Sequence, residues 1–98
     1  MPVPVVAIIT AKPESTDLVR EALSELVGPT REEPGCISYS LYQSSADPAV
    51  FVTVESWRAA DDLDQHMKTE HIAATFAKAG DGLAGAPAIH ALVPIDEA

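Results

Sequence analysis

A single cysteine, Cys36, occurs among 98 residues. An intrachain disulfide is therefore excluded, and a zinc site built on thiolates has too few ligands. Basic residues are scarce as well: six Lys and Arg stand against 15 Asp and Glu, a formal charge of −9. Nucleic acid and anionic membrane surfaces both demand basic patches, so neither is expected as a partner. No apolar run approaches the ~20 residues that a membrane-spanning helix needs. The opening Met1-Pro2-Val3-Pro4 lacks the basic region and long apolar core of a signal peptide, and a cytoplasmic location is expected. Internal repeats, linkers and low-complexity segments are missing too, which predicts one domain over residues 1–98. Gly80, Gly82 and Gly85 follow a helical pattern instead of opening one after a strand. They cannot form a phosphate-cradling loop, and neither flavin, heme nor metal is expected as a cofactor.

What the chain does have is apolar content, at 47%. That is ample for folding, yet a domain this short buries a limited core alone, and a second subunit would help. Residues 3–11 are β-rich and apolar on both parities, as in a strand covered on both faces. After Pro13, Ser15 or Thr16 offers an N-cap. Leu18, Val19, Ala22, Leu23, Leu26 and Val27 then form one helical stripe, which Gly28-Pro29 should break or kink. Pro34-Gly35 signals a turn. Residues 36–44 read as a strand with Ile37, Tyr39 and Leu41 on one parity, and residues 50–57 as its hairpin partner. Ala60, Leu63 and Met67 mark a helix face interrupted near Thr69, which can cap a second segment carrying Ile72 and Phe76. A last strand is predicted over 87–94. The order β-α-β-β-α-β is the ferredoxin-like split βαβ motif, an α+β fold with an antiparallel sheet. Helices cover one face of such a sheet. Apolar residues on both parities predict that a second copy covers the other, giving a homodimer.

Glu33-Pro34-Gly35-Cys36, Tyr39, the run Phe51-Val52-x-x-Glu55-x-Trp57, Leu63, His66 and Thr69-x-His71 with Phe76 follow one another in a revealing order. Their succession resembles the antibiotic biosynthesis monooxygenase family, including its quinol monooxygenase branch, over residues 5–93. The resemblance implies a dimeric α/β-barrel with a pocket between sheet and helices in each subunit. It also implies oxidation of small aromatic phenols, quinols or polyketides by O2, with no cofactor. The electron-rich substrate anion itself reduces oxygen, so the protein need only bind, deprotonate and desolvate it. Trp57 matches the pocket tryptophan of the polyketide and heme-degrading branches. Thr53 stands where the polyketide branch has asparagine, and Leu63 where it has tyrosine. The first strand contains no asparagine, which disfavours the heme-degrading activity.

Trp57 is placed to stack on an aromatic substrate or to anchor the core at a strand end. His66, between Leu63 and Met67 on the inward side of its helix, has the ordinary pKa of a general base; a buried imidazole bonded to a carbonyl is the plainer role. His71, in the first turn after Thr69, is the second candidate for the base. Thr53, Phe51, Tyr39, Leu63 and Phe76 are expected to complete the substrate pocket. A metal held by His66, Glu70 and His71 is not expected, because histidines at i, i+5 do not stack on one helical face. Cys36 reads as a small buried hydrophobe, and Glu55 as an ion-pair partner of Arg58 or Arg31. Two functions follow: a cofactor-free monooxygenase for a small aromatic substrate and O2, or a non-catalytic dimeric module binding a small molecule in the same cavity.

Overall fold

The first strand, β1 (Val3–Thr10), lies inside the sheet, flanked on both edges by antiparallel partners. The computed structural model describes residues 1–96. A short 3-10 turn, Pro13–Ser15, leads into α1 (Thr16–Arg31). The hairpin strands β2 (Cys36–Gln43) and β3 (Val50–Trp57) follow, then α2 (Ala60–His66), α3 (Glu70–Ala79) and β4 (Ala88–Ala91). The sheet order is β2-β3-β1-β4, with every pair antiparallel. This is the ferredoxin-like α+β fold expected from the sequence, with the second helical crossover divided into α2 and α3. No helix among the described residues is long and apolar enough to cross a membrane.

Strand parity decides what is buried. On β1, Val5, Ala7 and Ile9 face the helices; on β3, Phe51, Thr53, Glu55 and Trp57 do so. The helix stripe Val19, Ala22, Leu23 and Leu26 closes over them. One apolar cluster joins Phe51 to Val19, Ala22 and Leu23, and a second joins Trp57 to Val5, Leu26, Tyr39 and Ile72. The opposite parity, with Ile8 and Val54, stays exposed on the sheet's bare face.

Four local expectations are corrected. Helix α1 runs through Pro29 to Arg31 and does not break at Gly28-Pro29. Only two helical residues follow the proline, so a single late backbone bond is lost, and Gly28 has no Cβ to strike the ring. Ile37 does not share a face with Tyr39. A bulge between Cys36 and Ser38 leaves it as the extra residue, exposed, and turns Cys36 to pair with Trp57. Ser15 is the N-cap of α1 by position but makes no side-chain cap bond; the Thr16 hydroxyl donates instead to the Pro13 carbonyl at 3.0 Å. The last strand is also shorter than 87–94, although the Leu92 amide still donates to the Pro4 carbonyl at 2.8 Å.

Candidate active site

The site begins with a turn. The Cys36 amide donates to the Glu33 carbonyl at 3.0 Å, closing a β-turn with Pro34 and Gly35 in the middle. Proline presets φ for its position. Gly35 has negative φ, so handedness is not its reason. A Cβ there would collide with the side chain of Asp62 in the first turn of α2, and the Gly35 carbonyl accepts the Arg58 amide at 2.8 Å. The turn thus docks on α2 and fixes Glu33 beneath its C-terminal end.

At that end α2 stops and the chain turns through Met67 and Lys68. Thr69 then caps α3, its hydroxyl accepting the Ile72 amide. The break between the helices re-aims the chain, so His66 and His71 converge as one continuous helix would not permit. His66 Nδ1 lies 2.6 Å from Glu33 Oε2, and His71 Nε2 lies 2.8 Å from the same oxygen. An ionised carboxylate only accepts, so both rings donate to it. His66 is buried, and its Nε2 is left with a free lone pair. The Trp57 ring lies against it at a centroid distance of 4.7 Å.

A second carboxylate sits one strand away. Glu55 is buried on β3, accepting the Thr53 hydroxyl at 2.6 Å on one oxygen and the Trp57 indole N–H at 2.9 Å on the other. The expected pairing with arginine is not found. Arg58 forms a two-pronged bond with Asp62, and Arg31 donates to the Tyr39 carbonyl. Among the described residues no cation pairs with Glu55. Tyr39 is its cross-strand partner. Burial first, then the Glu55 charge, pushes the Tyr39 phenol well above its ordinary range, with the Thr53 side chain opposing. Tyr39 is thereby kept a hydroxyl donor. Burial, then the Glu33 and Glu55 charges, also raises the Cys36 thiol, so it is no ready nucleophile.

These groups meet at a cavity of ≈ 30 Å³ lined by Tyr39, Thr53, Glu55, Leu63, His66 and Phe76, with Met67, Pro87 and Ile89 among its further lining residues. His66 lines the cavity and Glu33 does not, so the imidazole bridges the carboxylate and the interior. Of the residues singled out in the sequence, Tyr39, Thr53, Leu63, His66 and Phe76 come together here. Trp57 stands behind His66, Phe51 belongs to the other core cluster, and His71 reaches Glu33 from outside the cavity. Glu33 was the residue not foreseen as functional. Its signal was the turn itself, which holds an acidic side chain rigidly just before a strand. A ligand set of His66, Glu70 and His71 is not expected from the spacing, and Glu70 is not part of the cluster. The carboxylate that joins the histidines is Glu33, and three ligand atoms, from Glu33, His66 and His71, lie within 4.8 Å of one another.

Fold and site together define a ferredoxin-like α+β protein with a carboxylate-held histidine at a small internal cavity. The chain belongs to the antibiotic biosynthesis monooxygenase family, whose model matches residues 2–78. It is 37% identical over 97 residues to Rv0793 of Mycobacterium tuberculosis, covering 99% of this chain and 95% of that protein. The solved structure of Rv0793 superposes with a TM-score of 0.88 over 100% of this chain and 99% of that one, at 35% identity. PA3566 of Pseudomonas aeruginosa is similar at 33% identity and a TM-score of 0.86, over 97% and 95% of the two chains.

Proposed function

We propose that the protein is a cofactor-independent monooxygenase acting on a small quinol or related phenol. The observation that carries this reading is the placement of His66: its Nδ1 is tied to Glu33, which does not line the cavity, while His66 itself does. A neutral imidazole held by a carboxylate in one tautomer is a general base ready to take a proton. Two acceptors, His66 Nε2 and the Glu55 carboxylate, face a cavity with the Tyr39 hydroxyl as donor. A substrate bearing two hydroxyls complements that set.

The chemistry balances without a further reductant. His66 takes one phenolic proton, and the resulting anion passes an electron to O2. The radical pair closes a C–O bond at a ring carbon, and the imidazolium returns its proton to the peroxide. Scission of the O–O bond expels water as the ring C–H proton is lost. Quinol plus O2 yields hydroxyquinone plus water, the substrate supplying all four electrons. Apolar walls desolvate the anion and strengthen its tendency to give up an electron.

The cavity of ≈ 30 Å³ holds a water molecule or two. An aromatic ring enters only if lining side chains such as the half-exposed Met67 and Ile89 rotate outward. That narrowness, with Leu63 among the walls, favours a second reading: a non-catalytic module that takes up a small apolar molecule. One experiment separates the two. Purified protein is incubated with a panel of quinols in air and under nitrogen, with O2 uptake and substrate absorbance followed. Equimolar O2 consumption and hydroxyquinone formation support the oxygenase. Binding without O2 uptake supports the module.

A further inference from the structure

We propose that Glu33, His66 and His71 form a binding site for a divalent transition-metal ion of the Zn²⁺ type, and that occupancy switches off the His66 base. The site stands on geometry alone; only the switching clause rests on the function proposed above. Histidines at i, i+5 should not share an ion on one helix, but here they belong to different helices. His66 is the last residue of α2, and His71 is the second of α3. The reversal between them points both rings at one carboxylate oxygen, 2.6 and 2.8 Å away, and all three ligand atoms fall within 4.8 Å.

The donor set selects the ion. Two imidazoles and one carboxylate suit Zn²⁺, Co²⁺, Ni²⁺ or Cu²⁺, whereas Mg²⁺ and Ca²⁺ want oxygens. Tetrahedral neighbours around such an ion stand roughly 3.3 Å apart at ordinary ligand bond lengths. The Glu33 oxygen must therefore withdraw by about half an ångström, and ligand atoms now up to 4.8 Å apart must close toward that spacing, by rotation of the His71 ring at the solvent side. The His71 side chain is 24% exposed, so an ion has an approach from solvent and room for a water as fourth ligand. The proton count closes within each ring. His66 yields its Nδ1 lone pair and carries its proton on Nε2; His71 yields Nε2 and carries its proton on Nδ1. The tautomer forced on His66 then points a donor into the cavity where the free site pointed a lone pair. An imidazole so arranged cannot accept a phenolic proton.

The test uses untagged, chelator-treated protein titrated with Co²⁺ and followed by its visible d–d bands, together with equilibrium dialysis against Zn²⁺. One ion per chain and the intense bands of four-coordinate cobalt are expected. His71→Asn and Glu33→Gln should each weaken binding at least ~100-fold, because even groups that merely orient a ligand are worth 10–100-fold. His90→Asn, at the remaining histidine on exposed β4, should leave binding unchanged. Circular dichroism of each variant confirms that a loss is not unfolding. Sub-stoichiometric uptake, undiminished binding by folded His71→Asn, or loss of binding in His90→Asn would overturn the site. Where quinol turnover is measurable, Zn²⁺ should abolish it with the same saturation curve and EDTA should restore it; full turnover at saturating Zn²⁺ would overturn the switch. Cobalt binding in a protein without turnover upholds the metal site and removes the oxygenase reading, so the two fail separately.

Discussion

In the proposed reaction four side chains bear most of the chemical weight: His66 would take the proton, Glu33 would set its tautomer, Tyr39 would donate and Glu55 would accept. If His66 is the base, His66→Ala should lower quinol turnover by roughly 10²-fold or more, the usual worth of a positioned base. Glu33→Gln should cost a similar factor with little change in KM, because an amide can present its N–H to the ring and stabilise the wrong tautomer. Steady-state O2 uptake by both variants checks this, and unchanged kcat in either would remove that residue from the proton path. Tyr39 makes a prediction about stability. Its phenol is raised above the ordinary value of 10.0 by burial and by Glu55. The folded state therefore favours the protonated form, and this contribution is intact below pH 10.0 and is lost as pH climbs from there toward the raised value. Denaturation midpoints of wild type and Tyr39→Phe should keep a constant separation at neutral pH, and the wild type should fall faster in alkali. Parallel curves throughout would show that Tyr39 ionises as freely in the folded chain as in the unfolded one.

Periodicity made the elements legible, because each helix and strand buries one face. Val19, Ala22, Leu23 and Leu26 of the predicted stripe and the odd residues of β1 and β3 pack where their spacing places them, while Leu18, at the margin of the stripe, stays 40% exposed. Where elements meet, spacing says less. Nothing in the alternation of β2 reveals the bulge at Ile37, since a bulge is a property of two strands and not of one. The triad escaped for the same reason: Glu33 is 33 residues from His66, and only the docking of the turn on α2 unites them. Gly35 is the visible trace of that contact. Gly35→Ala should destabilise the fold, since its Cβ would drive Asp62 away and carry Glu33 with it. The Gly-Pro pair in α1 makes the opposite prediction. Pro29→Ala restores an amide donor in the last turns of α1 and should stabilise by about 1 kcal/mol, after allowing for the entropy that proline removes from the unfolded chain. Urea midpoints at constant m-value measure both changes. A lower midpoint for Pro29→Ala would mean that the proline sets the exit angle of the helix toward Glu33.

At the scale of the molecule, one layer is finished and one is not. Helices close over the odd residues of β1 and β3, whereas the bare side presents Ile8, Tyr42 and Val54 at 40%, 58% and 46% exposure. Cross-strand register makes these one patch: Tyr42 and Ile8 both pair with Val52, and Val54 pairs with Val6. A contiguous apolar face across three strands is costly to leave in water. A second copy is the proposed cover, because two twisted sheets of the same hand stack readily face to face and a chain of 10.3 kDa has little other core to draw on. Light scattering at micromolar concentration should then return twice the chain mass, and the thermal midpoint should rise with concentration, as linkage requires. Val54→Asp puts a charge into the middle of the patch without touching the helix side and should shift the protein toward monomer while lowering its midpoint. Because Glu33, His66 and His71 come from a single chain, Co²⁺ binding should survive that substitution. A wild-type monomer, or a Val54→Asp variant with unchanged mass and midpoint, would mean that this face is not where the copies meet.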